Sequence, residues 1–398
     1  MRNTGDVPLM RSEFTEKDLV TPAVSALQRR LAIAESRPGE PWSVLVENVP
    51  CWPEGTRPES RTAAPDSDAA PYFYAPSQGL PVLREAIARR ECELSGSAVV
   101  HPSNIVVGAG GMHALGLVFR DSVARGYRKA VCQAPVFRGV HDAMLAAGLS
   151  VETLPLTGTA EDWDGLDLVC REPTVLYVNF PHNPTGATAV PGYPRFLSRF
   201  ADTHDVLVVY DAVYDSFSFG PEFSAAPVDL AVNRTDVVVV NSMSKNYGRP
   251  GDRIGWITGH EGTVGRLVPR LEWEAVSINS RAQQIAADII GQGNAALVEG
   301  VRAGRDAIRQ SATGHKLLDA PLPNGGTQLW LDLRMADVEA FADFALDEYR
   351  LVLTTSENYA PVIPGFIRFP TGLAPRMIRE GLALLDRAMD AWEVRQRT

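Results

Sequence analysis

In this 398-residue sequence, several chemically capable side chains stand where an apolar, β-branched run stops. "TVLYVNF" runs into "PHNPTG", which puts Asn183 in a loop fixed by proline and glycine. "DVLVVY" delivers Asp211, with Tyr214 three residues on, and "DVVVV" delivers Ser242, Ser244 and Lys245, with Arg253 eight residues beyond. A carboxylate at the end of an apolar strand is poorly solvated and needs a cationic or hydrogen-bonding partner. A lysine amine can act as a nucleophile when neutral, which a guanidinium cannot. The chain holds four lysines (Lys17, Lys129, Lys245, Lys316) among 38 basic residues, so a lysine at this strand end stands out against the arginine-rich background. A fourth run, "NIVV", leads into "GAGGMHALGL", where Gly110, Gly111 and Met112 open a helix-like stretch. Glycines let backbone approach a ligand, and a helix N-terminus offers N–H donors to an anion. Taken singly, each feature also has an ordinary reading: an exposed turn lysine, an aspartate N-cap, glycines in a tight turn.

The elements that must hold these residues alternate. From residue 82 onward, helical stretches such as "VLREAIARRECEL", "GMHALGLVFRDSVARG" and "YPRFLSRFADTH" separate short β-branched runs. That alternation predicts an α/β fold: a three-layer αβα large domain built on a mainly parallel sheet, whose strand ends carry the loops where ligands bind. After residue 280 the texture changes to long helical stretches (280–312 and 373–396) flanking "TQLWLDLR" and "GFIRFP". A smaller α+β C-terminal domain over 281–398 is expected, with a large domain over 51–280 and an N-terminal arm over 1–50 that contributes to the small domain and covers the site. The Pro- and Ser-rich segment 50–72 reads as a surface connection.

Composition excludes several classes. The formal net charge is −10 with no basic run, which argues against nucleic acid. The first 70 residues hold eight basic and eleven acidic side chains and no helix-turn-helix pattern. No stretch reaches the roughly 18–20 apolar residues of a membrane span, and no secretory h-region is visible. Four scattered cysteines without a CxxC pair suggest reduced thiols in a cytoplasm and no metal site.

Taken together, Asn183, Asp211, Tyr214, Lys245 and Arg253 resemble the fold-type I pyridoxal-phosphate enzymes, and most closely the class I/II aminotransferases. "NFPHNPTG" is similar to that family's N-x-P-x-N-P-T-G, and "SMSKNYGRPGDRIGW" to its S-x-S-K-x-x-G-x-x-G-x-R-x-G. "YAPSQGLPVLREAIA" and "GFIRFP" match as well, so the resemblance runs from about residue 74 to residue 370. It implies pyridoxal 5′-phosphate as cofactor, a Schiff base on Lys245, and Lys245 as the group that then moves the substrate proton. It implies Asp211 at the pyridinium nitrogen, with Asn183 and Tyr214 at the phenolic oxygen. Arg253, Ser242, Ser244 and the N–H groups of Gly110, Gly111 and Met112 would hold the phosphate. Phe137 matches the ring-stacking aromatic, although a core phenylalanine is an equal reading, and Tyr74 matches a tyrosine that reaches the neighbouring subunit's phosphate. A homodimer with shared active sites follows from that last match. Arg368 matches the arginine that takes the substrate α-carboxylate; its other reading is a surface salt bridge.

The resemblance leaves the substrate open. Where dicarboxylate-selective members carry an arginine, this chain has "RLEWEAVSINSR". If one of its glutamates, Glu272 or Glu274, faces the pocket, charge complementarity favours a cationic, arginine-like side chain; the ordinary reading is a pair of solvated helix-face glutamates. The expected reaction moves the α-amino group of an L-amino acid to a 2-oxo acid. Removal of the Cα proton would equally serve a pyridoxal-phosphate-dependent oxidase, cyclase or β/γ-eliminating enzyme of bacterial specialised metabolism acting on an arginine-like amino acid.

Overall fold

The β-branched runs close into one sheet because each is apolar on both faces and must be covered twice. A computed structural model describes residues 26–37, 41–46, 48–60, 74–96, 98–220, 223–311 and 322–397. Its strands are β1 (Ser43–Leu45), β2 (Ile105–Gly108), β3 (Lys129–Gln133), β4 (Val136–Phe137), β5 (Ser150–Leu154), β6 (Thr174–Asn179) and β7 (Val206–Asp211). They continue with β8 (Val237–Ser242), β9 (Gly255–Thr258), β10 (Gln328–Asp332), β11 (Leu351–Thr355), β12 (Tyr359–Ala360) and β13 (Phe366–Pro370). Seven strands form the main sheet in the order β2-β9-β8-β7-β6-β3-β5. All its pairings are parallel except those of β9, which runs antiparallel to both β2 and β8. With helices flanking it, this is the mainly parallel α/β sheet expected from the alternation.

Register sets the site. Asn179 lies opposite Asp211 at the ends of β6 and β7, and β8 continues past its pairing with Asp211 to Ser242. Because β9 returns antiparallel, its first residue, Gly255, pairs with both Ser242 and Gly108. The carboxyl ends of β2, β6, β7 and β8 and the residues just before β9 therefore meet at one edge of the sheet.

A second, four-stranded sheet has the order β1-β11-β13-β10 and its own apolar core, which includes Leu45, Leu329, Phe341, Leu353, Phe369 and Leu385. The short run in "WSVLVENV" joins this sheet, pairing parallel with β11, and does not extend the main one. Antiparallel β4 and β12 tie the two sheets together by pairing Phe137 with Tyr359. The helical stretch expected over 280–312 is two helices, Ser280–Gln292 and Ala295–Arg309, and residue 312 lies outside the described residues. The break falls at Gly293, whose φ of 78° a glycine adopts without steric cost. Most of the N-terminal arm and most of the Pro/Ser-rich segment likewise fall outside the described residues. Among those described, no helix is long and apolar enough to cross a membrane.

Candidate active site

The site starts with an anion cradle. The helix Gly111–Ala124 begins with no side-chain cap, so the amides of its first turn face the sheet edge unclaimed by a side chain. Gly110 has φ 87° and ψ 168°, a conformation that is essentially glycine-only. A Cβ there would also lie 2.4 Å from Nη2 of Arg253. Gly255 makes the matching close approach: its Cβ would stand 2.5 Å from the carbonyl carbon of Gly110. Arg253 is held by the carbonyls of Pro250 at 3.1 Å and Ala109 at 3.2 Å, and it is exposed on its outer side. The Ser242 hydroxyl oxygen lies 3.7 Å from where a Gly111 Cβ would be, which places a third donor at the same spot. Ser244 and Lys245 follow in the short helix Met243–Asn246, both half-buried, while Met112 is 39% exposed. Gly110→Ala should therefore weaken phosphate-dependent cofactor binding by at least about tenfold, since strain of this kind costs about 1–3 kcal/mol and the cradle must also shift. Cofactor titration of the apo protein reads the change; unaltered affinity would remove Gly110 from the cradle.

Beside it sits a buried carboxylate. Asp211 Oδ1 accepts from the Val213 amide at 3.2 Å and Oδ2 from the Tyr177 hydroxyl at 2.7 Å. Burial pushes its carboxyl up to about 6, against the opposing pull of these two donors, with Asp215 adding a smaller upward push. Among the described residues no cation pairs with it. The Asn179 side chain binds the Asp211 carbonyl at 2.9 Å and accepts from the Asn183 amide at 2.8 Å, locking the "NFPHNPTG" turn against β7. His182 secures the other side: its Nε2 lies 3.1 Å from the Pro135 carbonyl and its Nδ1 2.7 Å from the Thr185 hydroxyl. A carbonyl can only accept, so Nε2 carries the proton, and burial lowers the imidazole to about 4, keeping it neutral.

Lys245 Nζ donates to Asn48 Oδ1 at 2.8 Å, and the Asn48 amide in turn donates to the Tyr214 hydroxyl. Burial raises the Tyr214 phenol, so it remains a neutral donor. Thr327 fixes Asn48 by donating to its backbone carbonyl at 2.8 Å. Arg368 is buried, not on the surface, and donates to the Tyr359 hydroxyl at 2.9 Å and to the Val46 carbonyl at 2.5 Å. Because Arg368 can only donate, Tyr359 must spend its own proton on Asn183 Oδ1, 2.9 Å away. That fixes the Asn183 amide with its oxygen toward Tyr359 and its NH2 free to donate elsewhere. The Phe137 ring meets Tyr359 edge-on at 6.3 Å and is 37% exposed, so it is not a closed core residue.

Sequence reasoning missed Asn48, Tyr177 and Tyr359. Asn48 lies in "VENVPCW", which carries no family motif; Tyr177 reads as an ordinary strand aromatic in "TVLYVNF", and Tyr359 stands in a stretch with no sequence signal of its own. Two expected residues stand apart from the cluster. Tyr74 is 83% exposed, and Glu272 lies on the exposed face of the helix Glu261–Ala275, next to Trp273.

The donors and charges fit pyridoxal 5′-phosphate. A side-chain-uncapped helix N-terminus with Arg253 and Ser242 suits its phosphate, and the buried carboxylate of Asp211, which has no cation beside it among the described residues, suits a protonated ring nitrogen. Comparison with known proteins gives the same result. Residues 44–385 match the family model "Aminotransferase class I and II". The chain is 38% identical over 362 residues, 90% of its length and 95% of the relative's, to a 3-methylarginine biosynthesis aminotransferase from Streptomyces arginensis. It is 36% identical over 372 residues, covering 93% of the chain and 95% of the relative, to an L-aspartate:5-guanidino-3-methyl-2-oxopentanoate transaminase from Pseudomonas syringae pv. syringae. The crystal structure of an aspartate aminotransferase from Thermotoga maritima superposes with a TM-score of 0.78 at 22% identity, over 92% of this chain and 97% of that one, a likeness of fold. The chain belongs to the class I and II aminotransferases, and it is a pyridoxal-phosphate-dependent transferase of that family.

Proposed function

We propose that this aminotransferase moves an amino group between an L-amino acid and a 2-oxo acid whose side chain ends in a guanidinium group. The observation that carries the substrate is the pair of relatives above, both named for arginine-derived chemistry and both matched over nine-tenths of this chain. When bound, pyridoxal phosphate supplies a ring that accepts the electron pair released as the Cα–H bond breaks. In this reading Lys245 carries the cofactor covalently and then moves the proton at the substrate Cα. Asp211 faces the ring nitrogen, while Asn183 and Tyr214 donate to the phenolic oxygen. Arg253, Ser242, Ser244 and the amides of Gly110, Gly111 and Met112 hold the phosphate, and Phe137 lies against the ring.

Arg368 takes the α-carboxylate. Its described partners, a phenol and a backbone carbonyl, leave its buried charge without a carboxylate among the described residues, and a planar guanidinium binds one with two parallel hydrogen bonds. We assign Glu272 to the distal cationic group. Glu272 and Tyr74 are both exposed on the single chain, so these roles require a homodimer in which each copy completes the other's site. The same reading keeps the domain limits near residues 50 and 280, with the arm closing over the pocket from β1. It also places the enzyme in the cytoplasm, where its four free thiols stay reduced.

Amination of 5-guanidino-2-oxopentanoate by L-aspartate, compared with amination of phenylpyruvate, tests the substrate. A kcat/KM at least about tenfold higher for the guanidino acid, worth ~1.4 kcal/mol, is expected. A preference for phenylpyruvate, or oxygen uptake and ammonia release in place of a new amino acid, would overturn the proposal.

A further inference from the structure

Tyr177 lies inside β6, a run that reads as plain core, yet its hydroxyl ends on the functional carboxylate. Its cross-strand partners are Cys132 on β3 and Val209 on β7. Asp211 is two residues beyond Val209 and on the same face of the sheet, a diagonal that an aromatic side chain can span. The ring is held edge-on to Phe119, with centroids 6.4 Å apart, and the hydroxyl reaches Asp211 Oδ2 at 2.7 Å.

We propose that Tyr177 is a positioning residue for the cofactor: its hydroxyl clamps one oxygen of Asp211 and keeps that carboxylate charged and aimed at the ring nitrogen. The assignment rests on the role given to Asp211 above. The geometry divides the work. Val213 holds Oδ1 from the β7 side, Tyr177 holds Oδ2 from β6, and the remaining lone pairs of the carboxylate stay open for a third donor. A carboxylate held by two donors has one orientation, and hydrogen bonds to the charged form favour that form.

The charged surroundings make this hydroxyl necessary. Asp215, four residues on, pushes the Asp211 carboxyl upward, and the nearby phenols of Tyr210 and Tyr214 remain neutral because burial raises both. Arg90 is committed elsewhere: its guanidinium sits on Asp215, with Nη2 on Oδ1 at 2.5 Å, and on Glu91 at 3.1 Å. Tyr177 and the Val213 amide are thus the groups that oppose the desolvation of Asp211. The phenol of Tyr177 is itself raised by burial and by the Asp211 charge, so it stays a donor.

The test uses the holoenzyme reconstituted with ring-15N-labelled pyridoxal phosphate, whose nitrogen resonance reports protonation of the ring. Wild type, Tyr177→Phe and Asp211→Asn are compared across pH, with thermal melting as a check on folding. The wild-type signal should be that of a protonated nitrogen, and Asp211→Asn should lose it. Tyr177→Phe should shift its loss to lower pH and reduce kcat by about tenfold to a hundredfold, the scale of a hydrogen bond to a charged group. Installing 4-aminophenylalanine at position 177, which keeps both ring and donor, should restore the wild-type signal. A wild-type resonance in Tyr177→Phe beside a changed one in Asp211→Asn would overturn the role of Tyr177 alone. No change in Asp211→Asn would overturn the reading of Asp211 beneath it. Failure of 4-aminophenylalanine to restore a signal lost in Tyr177→Phe would show that ring packing, not the hydrogen bond, is responsible.

Discussion

Lys245→Ala is expected to lower turnover by at least about 10³-fold and to remove the visible absorbance that arises when the wild-type protein binds its cofactor covalently. Loss of general acid–base assistance alone costs on the order of 10²–10⁴-fold, and here the same amine also makes the covalent link. Lys245→Arg should be equally inactive. It keeps the positive charge and the reach, but a guanidinium stays protonated and cannot attack a carbonyl or take a proton from Cα. The pair of variants separates chemistry from architecture. The Lys245 amine is bonded to Asn48, and Asn48 is bonded to Tyr214, so a structural role for the lysine would be partly rescued by arginine. Turnover above a tenth of wild type in either variant, or an unchanged absorbance in Lys245→Ala, would show that another group carries the cofactor.

How far the site could be read from the sequence follows from how it is built. Asn183, Asp211, Ser242 and Lys245 each stand at or just past the end of a β-branched run, and parallel strands in one sheet bring such ends together whatever the intervening helices do. The parallel α/β fold was legible for the same reason: continuous apolar strands have no other way to be covered. Asn48 was not legible. It lies 197 residues before Lys245 and arrives there because β1 pairs with β11 in the second sheet, a long-range pairing that no local pattern announces. Tyr359 depends on the two-residue pairing of β12 with β4, too short to show periodicity. Arg368 could be named from its motif, with a surface salt bridge as its other reading. Burial against Tyr359 and Val46 is what separates the two readings.

Asp211→Asn should make the cofactor-free protein more stable near neutral pH while impairing catalysis. In an unfolded chain the carboxyl titrates near its ordinary value of 3.8, and in the folded protein burial raises it to about 6. Between those values the folded state binds more protons than the unfolded one, so stability falls as pH rises through this window. At pH 7 the buried charge therefore costs the apo protein ~3 kcal/mol, since each pKa unit is worth about 1.4 kcal/mol. Asparagine removes the charge and keeps an oxygen for the Tyr177 hydroxyl, while its NH2 replaces the oxygen that accepts from the Val213 amide, so part of that cost is recovered. The stability gain over wild type should be largest at pH 7 and shrink to a small fraction of that by pH 4, where Asp211 is protonated in the folded state and only partly ionised in the unfolded one. Kinetics should move the other way. An amide cannot hold a proton-bearing ring nitrogen as a carboxylate does, and kcat of the reconstituted variant should drop by at least about 10²-fold. Thermal melts of both apo proteins at pH 4 and pH 7, set beside steady-state rates, measure both halves. A variant that is less stable than wild type at pH 7, or whose stability difference does not change with pH, would mean that Asp211 is not held as a costly buried charge.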